Sequence, residues 1–137
     1  MALYYVDASA LVKLVRDEAE SDSLRAFVTD AGLVSSNVVV AEVPRAVRRA
    51  VADNPALPLD RLLERGEKVL EATALRAVDH ELLIDAGALT EPALRALDAI
   101  HVATAIDLQP IDAFVTYDVR QAAVARLAGL RTMAPGS

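Results

Sequence analysis

Four acidic residues carry the chemistry available to this sequence: Asp7, Glu42, Asp98 and Asp118. Asp7 directly follows the apolar, β-forming run Leu3 to Val6, and Asp118 stands just past Phe114-Val-Thr116. Taken singly, each of these aspartates, and Asp98 ahead of Ala-Ile-His-Val-Ala, would serve as a helix N-cap, a role worth about 1 kcal/mol. Glu42 lies inside Val38-Val-Val-Ala-Glu-Val, where capping does not explain it. A carboxylate among apolar neighbours needs a counter-charge, either Arg45 three residues along the same helix face or a metal ion. As a set the four acids favour metal, because carboxylate oxygens suit hard divalent cations and no His or Cys cluster offers a softer site. Asp112, close to Asp118, is the rival for the last position.

The elements that must position these acids alternate along the chain. Period-2 and 3.6-residue patterns predict strands at Leu3 to Val6, Leu33 to Ser35, Ala74 to Val78, Ala113 to Thr116 and Leu130 to Met133. Helices are predicted after Asp7, from Glu20 to Asp30, Ser36 to Ala52, Leu59 to Ala72, Glu81 to Ala88, Leu97 to Leu108 and Asp118 to Ala128. Pro44 removes a backbone donor, so the third helix either kinks near Val40 or begins later than Ser36. Strands alternating with helices, with no linker or repeat, predict a single 1–137 domain of α/β class: a three-layer α/β/α sandwich around a mostly parallel sheet. In such sheets ligands sit beyond the carboxyl ends of the strands, where Asp7 and Asp118 would project.

Composition narrows the classes further. At 137 residues and 54% apolar content the chain can bury one sizeable core. With no cysteine, disulfides, thiolate zinc sites and cysteine nucleophiles are excluded. A net charge of -6 argues against holding duplex DNA by broad phosphate neutralisation, though a cation-binding acid cluster would itself contribute to that charge. Aromatic residues are too few for a base-stacking platform. The N-terminus lacks the basic start of a signal peptide and no apolar run reaches membrane-spanning length, so the expected setting is the cytoplasm.

Four blocks, in order, resemble the motifs of the PIN-domain family and, within it, the VapC toxins of toxin-antitoxin pairs. They are Tyr5-Val-Asp7-Ala-Ser9-Ala-Leu-Val-Lys-Leu, Ser35-Ser-Asn-Val-Val-Val-Ala-Glu42-Val-Pro-Arg-Ala, Leu97-Asp98-Ala-Ile-His101-Val-Ala-Thr-Ala, and Phe114-Val-Thr116-Tyr-Asp118 with Ala122 to Leu130. The resemblance implies a magnesium- or manganese-dependent ribonuclease with Asp7, Glu42, Asp98 and Asp118 at the metal, one ion or two, and water attacking phosphorus in line. It implies that the Ser9 and Thr116 hydroxyls support the acids, that a VapB-like antitoxin blocks the site, and that the chain forms a homodimer.

Other residues near the acids have two readings each. His101, three residues after Asp98, is a general base or a ring that simply hydrogen-bonds nearby. Arg45 and Arg49 continue the Glu42 face, with Lys13 and Arg16 on another helix; they guide RNA phosphates or are merely solvated. A haloacid-dehalogenase-like phosphohydrolase would want a second aspartate where Ser9 stands, and a receiver-like module would want a late lysine, but none follows Lys68. A degenerate PIN domain that only binds a partner is disfavoured because all four acid positions are filled.

Overall fold

The computed structural model describes every residue from Met1 to Ser137. In chain order the elements are β1 (Leu3–Val6), α1 (Ala8–Val15), α2 (Ser21–Val28), β2 (Gly32–Ser36), α3 (Val39–Asp53) and α4 (Leu59–Glu71). They continue with β3 (Ala74–Arg76), α5 (His80–Gly87), α6 (Ala96–Asp107), β4 (Ala113–Val115), α7 (Val119–Leu127) and β5 (Thr132–Met133). The five strands form one sheet in the order β3-β2-β1-β4-β5, and every neighbouring pair is parallel.

Side-chain alternation divides the molecule into layers. Tyr4, Val6, Leu33, Leu75, Val115 and Met133 face α1 to α4, packing against Leu11, Val15, Leu24, Val43 and Val47. Tyr5, Val34 and Phe114 face the opposite way, against Val102 and Ala105 of α6 and Val124 and Ala125 of α7. On that side α5 packs on α6 through Leu82, Ala86, Ala99 and Ala103. The result is the expected three-layer α/β/α sandwich. Strand order reverses at β1: the chain moves outward through β2 and β3, then returns to lay β4 on the other side of β1. The crevice at the carboxyl ends of β1 and β4 is therefore the topological switch point.

Several boundaries depart from the sequence pattern, and three of them have a clear local reason. The third helix starts at Val39, because β2 runs to Ser36 and Asn37 and Val38 make the turn, so the later start is the one realised. Edge strand β3 stops at Arg76, where the Val78 amide donates to the Asn37 side chain rather than extending the ladder. Leu130 joins the turn that closes α7 rather than the last strand: Gly129 adopts φ 87°, and the Leu130 amide closes back onto the Ala125 carbonyl, leaving only Thr132–Met133 as strand.

Leu11 is fully buried beneath Asp7 in the core between α1 and the sheet. Truncating it leaves a cavity, so Leu11→Ala is expected to cost about 2–5 kcal/mol. A lower urea midpoint at unchanged slope in equilibrium unfolding is the expected record.

Candidate active site

The parallel sheet brings Asp7, Glu42, Asp98 and Asp118 to the wall of one cavity of about 770 Å³. Each acid enters from the start of a different helix. Asp7 is the N-cap of α1 and Asp118 the N-cap of α7, while Glu42 and Asp98 lie in the first turns of α3 and α6. Capping and convergence are thus not alternatives for Asp7 and Asp118; both hold at once. Asp98 caps nothing, since Arg95 occupies the N-cap position of α6. The partial positive charge of four helix N-termini faces the acids and offsets part of their mutual repulsion. Asp112 lies at the other edge of the sheet, where it accepts the Leu3 amide at 2.7 Å and takes no part in the cavity.

Asp7 is 3% exposed and both its carboxylate oxygens are engaged. Oδ1 accepts from the Ser9 hydroxyl at 2.6 Å and the Ala10 amide at 3.0 Å. Oδ2 accepts from the Thr116 hydroxyl at 2.5 Å and from Gln121 Nε2. Ser9 and Thr116 in turn accept the amides of Tyr117 and Asp118, tying the end of β4 to the start of α1. Burial raises the Asp7 carboxyl above its ordinary pKa, against the opposing pull of His101 and the hydrogen bonds. Asp98 is raised as well, first by burial and then by the charges of Asp118, Asp7 and Glu42.

Glu42 finds its partner in His101, whose Nε2 lies 2.7 Å from Glu42 Oε1. The expected alternative, Arg45, is exposed and makes no ion pair. The Glu42 carboxylate accepts from Nε2, and Nδ1 on the other side of the ring lies 2.7 Å from the Tyr5 hydroxyl. The buried His101 therefore serves neither Asp98 nor solvent but links Glu42 to the centre of the sheet. Among the bases, Arg45 and Arg49 line the cavity without acidic partners. Lys13 also lines it, but its ammonium is held by Glu20 at 2.7 Å and Glu18 at 3.2 Å, and lies 4.9 Å from the Tyr117 ring centre. Arg16 ends α1 outside the cavity.

Gln121 escaped the sequence reading. Asp118-Val-Arg-Gln121 has the capping-box pattern, in which the Gln side chain returns to the N-cap amide. Here Thr116 satisfies that amide, and the Gln121 carboxamide is free to reach Asp7. Its Oε1 is buried with no donor, and such an orphaned acceptor costs about 1–3 kcal/mol. No three His, Asp or Glu side chains stand close enough to clasp one metal ion between them.

The chain belongs to the PIN-domain family and is of its VapC type: the PIN domain family model matches residues 4–127. It is similar to Ribonuclease VapC35 of Mycobacterium tuberculosis (strain CDC 1551 / Oshkosh), 36% identical and covering 98% of each chain. It is likewise similar to Ribonuclease VapC46 of Mycobacterium tuberculosis (strain ATCC 25618 / H37Rv), 39% identical over 98% of this chain and 99% of that one. In fold it matches VapBC2 from Rickettsia felis, solved bound to a DNA fragment from their promoter, with TM-score 0.67 at 13% identity over 96% and 97% of the two chains.

A raised carboxyl pKa means that the folded chain holds the proton more tightly than the unfolded one. Ionised at neutral pH, such a group costs stability, and the cost disappears as pH falls below the unfolded value. Asp98→Asn, at a position that caps nothing, should therefore melt at higher temperature than the parent at neutral pH in chelator, with the gap closing in acid; differential scanning calorimetry across pH is the check.

Proposed function

We propose that this chain is a toxin-type endoribonuclease that hydrolyses RNA phosphodiester bonds using a magnesium or manganese ion held by Asp7, Glu42, Asp98 and Asp118. The observation that carries this reading is the convergence of four acids, distant in sequence, on one switch-point cavity. Relatives matching nearly the whole chain that are themselves named ribonucleases agree with it.

The donor chemistry fits such an ion. All four groups offer carboxylate oxygens, the donors hard cations prefer, and their mutual charge already raises the Asp98 carboxyl. Magnesium keeps several waters and takes one or two carboxylates directly, so its binding does not require three side chains on one ion. Bound there, the cation would supply Lewis-acid charge and lower the pKa of the attacking water.

The remaining steps fall to this chain's own side chains. Ser9 and Thr116 hold the Asp7 carboxylate in one orientation, and His101 does the same for Glu42. Arg45 and Arg49, exposed and free of acidic partners at the cavity wall, take RNA phosphates. Lys13 joins them once an incoming phosphate displaces Glu18 and Glu20.

The partner in this reading is a VapB-like antitoxin whose basic side chain reaches the carboxylates. A homodimer is part of it, with the exposed Leu83 and Ile84 of α5 offering apolar surface. No helix is long and apolar enough to cross a membrane, and we place the activity in the cytoplasm.

Cleavage of labelled RNA should need magnesium or manganese, stop on chelation, and fall about 100-fold or more in Asp7→Asn and Glu42→Gln. Activity that survives both chelation and Asp7→Asn defeats the proposal. In binding titrations against salt, Arg45→Ala and Arg49→Ala should each flatten the slope for single-stranded RNA by about 0.7, weakening all sequences alike.

A further inference from the structure

We propose that Gln121 is a positioning residue of this site, orienting Asp7 through its amide nitrogen and offering its amide oxygen to a water carried by the hydrated divalent cation. The inference rests on the ribonuclease reading above and extends it to a residue outside the four acids.

The argument begins with the direction of the carboxamide. Its Nε2 lies against Asp7 Oδ2 and 3.4 Å from the Thr116 hydroxyl. Both contacts are made by the nitrogen end of the carboxamide. The oxygen is at the other end, where it is buried and has no donor. Gln121 is 1% exposed yet lines the acid cavity. The other buried side-chain atom without a partner, Arg16 Nε, lies outside that cavity.

The missing partner must be a hydrogen-bond donor small enough to enter among carboxylates. The waters of a hydrated divalent cation are such donors, polarised by its charge, and a cation that retains waters needs acceptors for them beyond its direct ligands. Local sequence does not require this placement, since the capping-box role open to Gln121 is filled by Thr116. The side chain is held towards Asp7 by tertiary contact alone.

The test is manganese binding to the full chain, by isothermal titration calorimetry without RNA, for the parent, Gln121→Met and Gln121→Glu. Gln121→Met removes both donor and oxygen at nearly constant volume and should weaken manganese binding about 10–100-fold. Gln121→Glu loses the donor but keeps an oxygen at the same reach, so it should bind manganese more tightly than Gln121→Met, although repulsion from Asp7 lowers its metal-free melting temperature. The added carboxylate favours a cation by its charge alone, so the deciding comparison is parent against Gln121→Met, where a purely structural role would lower stability and leave manganese affinity unchanged. If Gln121→Met does not fold, Gln121→Asn, which withdraws the amide by one methylene, takes its place with the same expected loss. Parent-like affinity in Gln121→Met, or equal affinities in the Met and Glu variants, overturns the assignment and leaves the ribonuclease reading standing. A parent chain that binds no manganese overturns both.

Discussion

Carboxylates gathered at the end of a sheet repel one another, and here the charges of Asp118, Asp7 and Glu42 make Asp98 harder to ionise. The fold answers that repulsion by bringing each acid in at the start of a helix. Parallel topology makes this possible, because every strand delivers its carboxyl end to one edge and the helix that follows begins there. The sheet order then decides which helices meet: β4 beside β1 brings the start of α7 to the start of α1. The same edge in an antiparallel sheet would mix helix ends of both polarities.

The offset is incomplete. Asp7 and Asp98 remain harder to ionise than free aspartates, chiefly because they are buried. What keeps the site in shape is a set of donors committed to individual acids. Ser9, Thr116 and Gln121 come from three different segments and meet on Asp7, while the Tyr5 and His101 pair runs from the middle of β1 to Glu42. Tyr5 also stacks on Phe114 at 5.1 Å between ring centres, so the order of the sheet's core extends directly to the acids.

Stability and chemistry thus conflict at this edge. A chain selected for stability alone would neutralise a buried aspartate or pair it with a base, and the bases here are arranged otherwise. Lys13 is turned towards Glu18 and Glu20, and Arg45 and Arg49 are left at the rim. None of the four acids is consequently ion-paired with a lysine or an arginine.

Much of the molecule was legible in the linear sequence because the signals are local. Alternating strand and helix periods, the Gly129 stop and aspartates at helix starts reflect forces acting over a few residues, and they gave the layered class and the four acids. Partner choice was not local. Glu42 and Arg45 share a helix face, yet Glu42 pairs with His101 from 59 positions away, because α3 and α6, on opposite faces of the sheet, both begin at its carboxyl edge and bring these two side chains together there. Gln121 reads as a capping residue until Asp7, 114 positions distant, takes its side chain. Lys13 reads as a free cation until the loop after α1 folds two glutamates onto it. Sequence alone determined which side chains carry charge and which element each begins. Tertiary packing decided which of them neutralise one another, because hydrogen bonds and ion pairs act over a few ångströms and only the fold sets distances between segments far apart along the chain.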